Sequence, residues 1–221
     1  MLKHNNTRFE DVQLDTNTHQ LQHDYNPAYH EGFAFETLGI LGHAVNHLDF
    51  MRRPDAAAFL FGRSWDPYVK TPERTLFFNT KTPFTALAYS TNLFINKAPE
   101  ENISVLHTQN ASPYTNFGID FNILAGKSFY TNQQTRANRV GLFGSHAKNR
   151  YSIFGTLYYN SFTANDNGGI QEVDSFKVAT EDEWWLYDVN LEEAQSLYRN
   201  WSFFATQKYN LVERQTITDS L

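Results

Sequence analysis

The stretch RYSIFGTLYYNSF, residues 150–162, carries two registers at once. Tyr151, Ile153, Gly155, Leu157 and Tyr159 form an apolar row bounded by tyrosines, and Ser152, Phe154, Thr156, Tyr158 and Asn160 form a more polar one. A period of two with unlike faces is the mark of a β-strand, because successive side chains point to opposite sides of the pleat. What the apolar row touches decides the fold. Against a protein core the strand belongs to a soluble β domain; against lipid it is a stave of a membrane barrel.

The same alternation marks residues 82–91, 101–110, 116–125, 139–147 and 201–211, and residues 74–81 offer a further strand. NFGIDFNILA (116–125) is the cleanest case. Phe117, Ile119, Phe121 and Ile123 face one way; Asn116, Gly118, Asp120 and Asn122 face the other, which is therefore expected to be wet. Lys208 holds a similar position in the last strand. Connections alternate in length: 112–115 and 148–150 are short, whereas 126–138 and 163–200 are long. Outer-membrane barrels sort their loops in this way, with tight turns on one rim and long loops on the other.

Composition agrees with a strand-rich folded chain. Of 221 residues, 41% are hydrophobic and only 19% charged, while aromatics reach 16%, and aromatic side chains favour pleated surfaces. The net charge of −6, with no basic block, argues against nucleic acid as a partner. Cysteine is absent, which removes disulfides, thiol catalysis and cysteine-based zinc sites. No run nears the ~18 apolar residues of a spanning helix, but a barrel strand needs only ~9–11 and hides them in alternation. The mean hydropathy of −0.54 therefore fits a barrel as well as a soluble domain. The opening MLKHNNTRFEDVQ lacks the apolar core of a secretory signal.

Residues 1–81 keep neither period for long and are expected to hold one or two strands, with the barrel staves in 82–221. In the long connection, Asn190 followed by Glu193 has capping-box spacing and predicts a short helix through Leu197. Trp184 and Trp185 beside three acids are read as aromatics folding that loop onto itself, with interface anchoring or sugar stacking as alternatives. His43 and His47, like His19 and His23, lie four apart, yet the zinc-protease pattern would need Glu where Ala44 stands. Ser145 and His146 are strand neighbours on opposite faces and cannot share a proton. The paired acids Asp182 and Glu183, and Glu192 and Glu193, read as solvated loop residues. Phosphate-binding glycine loops and the nucleophile elbow are missing, so no enzyme, metal or cofactor is expected.

TLGILGHAVNHLDF (37–50), TLFFNTKTPFTALAYS (75–90), the run from Ser104 to Ile170 and VNLEEAQSLYRNWSFFATQKYNL (189–211) resemble the N-terminal portion of the Bacteroidetes putative porin family. The sharpest elements are TKTPFT, the HTQN to NFGIDFN hairpin, and NGGI. The resemblance implies an outer-membrane β-barrel that passes small solutes by diffusion, without cofactor or catalytic residues. Six good strands and a seventh candidate fall short of the ~8 with which single-chain barrels begin, so a partial barrel is expected.

The expectation is an all-β, antiparallel, up-and-down transmembrane barrel wall with long extracellular loops. Phe117, Ile119, Phe121, Ile153, Leu157 and Phe203 are assigned to lipid, and Asn116, Asp120, Asn122, Thr156 and Lys208 to the lumen. Tyr151, Tyr159 and Trp201 are assigned to the interfaces. The partners would be outer-membrane lipid and small solutes, and a homo-oligomer is allowed. Two alternatives are a soluble, secreted β-sandwich that binds carbohydrate, with a second layer of strands over the apolar faces, and a structural envelope barrel that does not conduct.

Overall fold

The computed structural model describes residues 2–5, 8–11, 26–28, 35–37, 39–49, 60–92, 98–172 and 187–211. Among the described residues eleven strands follow in order: β1 Leu2–Asn5, β2 Arg8–Asp11, β3 Phe35–Thr37, β4 Val45–His47, β5 Leu76–Phe77, β6 Phe84–Thr91, β7 Glu100–Ser112, β8 Thr115–Lys127, β9 Gln134–Lys148, β10 Tyr151–Asn165 and β11 Gln195–Tyr209. The 3-10 segments Leu60–Tyr68 and Pro72–Arg74 lie between β4 and β5.

The last six strands form one antiparallel meander, each paired with its neighbours in sequence, in the order β11-β10-β9-β8-β7-β6. The two remaining sheets are small: β2-β1-β5 and the hairpin β3-β4. The six-stranded sheet is open among the described residues, with β6 and β11 at its edges.

Loop lengths follow the expected parity, and the strands run further than alternation alone marks. β9 and β10 are joined through Asn149 and Arg150, with Tyr151 opposite Lys148 and Asn149 in the left-handed region at φ 54°. β7 and β8 are joined through Pro113 and Tyr114, after a register shift between Asn110 and Ser112. The opposite rim carries the ends of the β6–β7, β8–β9 and β10–β11 connections, which are 8, 6 and 29 residues long. The long loops are thus shorter than 126–138 and 163–200, because ladder hydrogen bonds extend β8, β9, β10 and β11 into them.

The helix expected from Asn190 to Leu197 does not form. Gln195, Ser196 and Leu197 belong to β11 and lie opposite Asn165, Ala164 and Thr163 of β10. The Asn190 side chain, instead of capping a helix, donates to the Gly168 carbonyl at 2.9 Å. A continuous ladder with β10 outweighs a local cap worth about 1 kcal/mol.

Burial alternates along these strands in the sense opposite to a soluble sheet. On β8, Asn116 and Asn122 are buried, while Phe117 is 44% and Ile119 39% exposed. On β10, Phe154, Thr156, Tyr158, Asn160 and Phe162 are buried, while Tyr151, Ile153 and Leu157 are exposed. The layer that covers the sheet is built from the described parts of residues 26–80, and it lies on the face bearing the asparagines. No described strand lies over the apolar face, so the second layer required by the sandwich alternative is not found there.

Candidate functional site

The buried face of the sheet is organised by a polar row across five strands: Ser104, Asn122, Arg139, Asn160 and Asn200 stand directly opposite one another in register. Polar groups this deep require partners, since an unpaired buried amide costs about 1–3 kcal/mol. Residues 68–70 supply them. Asn160 accepts from the Lys70 backbone N–H at 2.9 Å and donates to the Lys70 carbonyl at 3.1 Å, as an adjacent strand would. Arg139 donates through one terminal nitrogen to the Tyr68 carbonyl at 2.6 Å, and through Nε and its other terminal nitrogen to Asn122 Oδ1. Asn122 in turn donates to Asn102 Oδ1 at 2.8 Å and to the Ile103 carbonyl at 2.9 Å. The Lys70 ammonium reaches Asp120 Oδ2 at 2.5 Å.

Above and below this row the covering segment is clamped at both rims. Near the long loops, the Leu41 N–H donates to Glu100 Oε1 at 2.8 Å and the Thr135 hydroxyl donates to the Leu41 carbonyl at 2.5 Å. His43 Nδ1 accepts from the Ala44 N–H, so Nε2 carries the proton it donates to Asp166 Oδ1 at 2.8 Å. Mid-strand, the Thr75 hydroxyl meets the Tyr158 hydroxyl at 2.7 Å, and near the tight turns Asn110 joins Asn79 and the Thr80 N–H. Between the clamps lie two apolar clusters. Tyr68, Trp65 and Val69 pack with Leu124, Ala137 and Phe162; Phe77 and Phe78 pack with Phe143 and Phe154.

Two glycines make this fit possible. A Cβ on Gly126 would stand 2.5 Å from Ile40 Cγ2 and 3.0 Å from the Leu41 carbonyl. A Cβ on Gly141 would stand 2.2 Å from the ring of Tyr158, its cross-strand neighbour. The bare backbone at these positions lets the segment, and the ring that holds it, lie flat on the sheet.

All five residues assigned to the lumen share this face, but most of it is not wet. Asn116, Asn122 and Thr156 are buried, and the Asp120 side chain keeps 16% of its surface; of the five, Lys208 alone is exposed. The reason is the segment of residues 60–80, whose backbone groups bind Asn160, Asn110 and Arg139 on the same face. Thr156 Oγ1 has no partner among the described residues. Arg139, Asn160, Tyr158, Gly126 and Gly141 are the residues sequence reading missed. The common parity of Arg139 and Gly141 in TRANRVGLFG and of Tyr158 and Asn160 in YSIFGTLYYN was the available signal, but Arg139 fell at the margin of the expected strand and Gly126 just past the end of its own.

The six residues assigned to lipid lie together on the open face. In register, Ile119, Leu142, Leu157 and Phe203 form one row, and Leu87, Val105, Phe121, Val140, Tyr159 and Trp201 the next. Phe203 is 76% exposed. Tyr159 and Trp201 pair across the strands at 4.5 Å between ring centroids, and Tyr151 stands opposite Tyr209 beside the tight turn. Beyond the Tyr159–Trp201 pair the face of β9, β10 and β11 turns polar, with Asn138, Ser161 and Arg199 in register.

His43 and His47 are not on a helix: His43 sits in a turn and His47 in β4, its ring against Phe35 at 4.0 Å. Among the described residues, no group of three or more His, Asp or Glu side chains is arranged to hold a metal ion. His19, His23, Asp182, Glu183, Trp184 and Trp185 lie outside the described residues. His146, as its outward parity requires, bonds the Thr115 hydroxyl at 2.8 Å and not Ser145.

Polar side chains turned inward and apolar ones outward, on a meander with sorted loops, are the features of an outer-membrane barrel wall. The chain belongs to the putative porin family: a family model described as "Putative porin" matches residues 2–221. Comparison with curated proteins and with solved structures gave no match.

Proposed function

We propose that this chain forms part of the wall of an outer-membrane β-barrel through which small solutes diffuse passively, and that the described parts of residues 26–80 narrow the lumen. The observation that carries the reading is the inverted alternation. Across β8, β9 and β10, Phe117, Ile119, Leu142, Ile153 and Leu157 are exposed while Asn116, Asn122, Arg139, Thr156 and Asn160 are buried, an arrangement that lipid rewards and water does not. An open sheet cannot persist in lipid, where unpaired backbone groups cost several kcal/mol each, so the edges of β6 and β11 pair with further strands. Tyr151 and Tyr209 at one end, and Tyr159 and Trp201 at the other, mark the two interfaces.

The covered polar face favours one second reading, a structural barrel filled by its own segment that does not conduct. Solute flux separates the two. Cells producing the protein are fractionated, and the outer-membrane fraction is tested for heat-modifiable gel mobility; the purified protein is then placed in liposomes for swelling assays. Outer-membrane location with swelling in small sugars or salts supports the channel. Location without swelling supports the structural barrel, and a soluble monomer removes both.

A further inference from the structure

The outward face changes character beyond the Tyr159–Trp201 pair, toward the long loops. Arg199 of β11 stands opposite Ser161 of β10, and Arg136 of β9 stands opposite Thr163 of β10, on the face that carries Leu157 and Phe203. Both arginines are exposed. Between them lie the small hydroxyls of Ser161 and Thr163, with Asn138 beside Ser161 in register. Arg136 donates through Nε to Asn138 Oδ1 at 3.4 Å, and among the described residues neither arginine is paired with a carboxylate. Carboxylates of this rim are engaged elsewhere or stand apart. Glu100 accepts from the Leu41 N–H and Asp166 from His43. Glu101 lies two strands from Arg136, across Ala125, and accepts from the Tyr89 hydroxyl at 3.5 Å. Glu192 and Glu193 precede Arg199 by seven and six residues, in the connection before β11.

We propose that Arg136 and Arg199, over the hydroxyls of Ser161 and Thr163, form a site on the outer flank of the barrel for the phosphate of a lipid headgroup in the outer leaflet. The proposal rests on the barrel-wall reading above and is independent of conductance. Depth supports it. Arg199 lies two residues past Trp201, and Arg136 is level with Thr163, four past Tyr159. At ~3.3 Å per residue and a tilt of ~40°, they stand about 5 and 10 Å beyond the aromatic girdle. Headgroups occupy roughly 5–8 Å on each side of the hydrocarbon, so the two guanidinium groups meet them there. Sideways the arginines are two strands apart, about 10 Å, a span that two long side chains close over the small residues of β10. Guanidinium binds phosphate through paired N–H donors, and the hydroxyls donate to the remaining oxygens. The acyl chains of the same lipid would lie along Leu157, Leu142 and Phe203, which continue the strip on its apolar side. The long loops mark this rim as the outer one.

The test uses the full chain purified in nonionic detergent and titrated with lipid A, a phosphorylated glycolipid, and with its dephosphorylated form. Bound lipid is read by native mass spectrometry, and protection by the fraction that stays heat-modifiable. Lipid A should bind more tightly than the dephosphorylated form. Replacing both arginines, Arg136→Gln with Arg199→Gln, should weaken lipid A about thirtyfold, the loss of two cations facing an anionic headgroup, and leave the dephosphorylated form unchanged. Ser161→Asp, which sets a carboxylate between the arginines, should act in the same direction and serves where the double variant fails to fold. Lys148→Gln removes a cation beside Tyr114 at the opposite rim and should leave lipid A binding as it was. Equal binding of the two lipids, or an equal loss with Lys148→Gln, overturns the proposal and leaves the barrel wall standing. Inorganic phosphate protecting as well as lipid A also overturns it, because the site would then serve a free anion. A chain that stays soluble and monomeric without detergent removes the barrel-wall reading itself.

Discussion

Replacing Leu157 by arginine tests the orientation of the sheet directly. Leu157 stands on the open face, 37% exposed, in register with Ile119, Leu142 and Phe203. The eight residue steps from Tyr151 to Tyr159, at ~3.3 Å each and a tilt of ~40°, span about 20 Å of membrane normal. Leu157 then lies about 5 Å inside the Tyr159–Trp201 girdle. An arginine costs ~2–4 kcal/mol at the midplane of a barrel wall and ~0–1 near the interface, so about 2 kcal/mol is expected here. That is a factor of about 30 in the folding equilibrium. Urea titration in lipid vesicles, followed by tryptophan fluorescence and by heat-modifiable mobility, measures it. Gln195→Arg, outward on β11 but beyond the girdle, is the control and should stay within about 0.5 kcal/mol. Leu157→Arg behaving like that control would refute the assignment of this face to lipid, because a water-exposed position accepts arginine without penalty.

Three further substitutions probe the covering segment. Asn160→Ala removes both partners of the Lys70 peptide groups and should cost about 1–3 kcal/mol for each group left buried and unpaired, seen as faster hydrogen exchange over residues 65–70. Gly126→Val places a side chain against Ile40 and the Leu41 carbonyl; exchange over residues 39–45 should rise while β8 and β9 stay protected. Unchanged exchange there would mean that Ile40 does not seat on β8. Gly141→Val collides with the Tyr158 ring and should destabilise the sheet by about 1–3 kcal/mol, read as a smaller heat-modifiable fraction.

The staves were legible in the sequence because a period of two is a local signal, and every segment marked by it is a strand. Their ends were not. β11 begins at Gln195, where a capping-box pattern on Asn190 competes with the ladder, and only the presence of β10 decides between them. The five lumen assignments fell on one face, as parity demands, yet their surroundings could not be read. Nothing local in residues 60–80 announces a segment whose peptide groups satisfy Asn160 and Arg139. Its own backbone bonds make only short 3-10 turns, and the peptide groups of Tyr68 and Lys70 go to side chains of distant strands. A chain without internal periodicity gives a period-seeking reading nothing to find.

The sequence separations of those contacts bear on how the protein assembles. Each stave pairs with its neighbour in sequence, so the wall is a series of hairpin closures, all short except the one between β10 and β11. The covering segment is different: Lys70 meets Asp120 at a separation of 50 residues, Arg139 meets Tyr68 at 71, Lys70 meets Asn160 at 90, and His43 meets Asp166 at 123. Contacts of high sequence separation form late, because chain entropy is lost before they repay it. Hairpins therefore zip first and the docking of the segment sets the pace. Until it docks, Asn160 and Arg139 lack their peptide partners, so the half-assembled wall has a hydrated inner face and becomes dry only in the final, slow step.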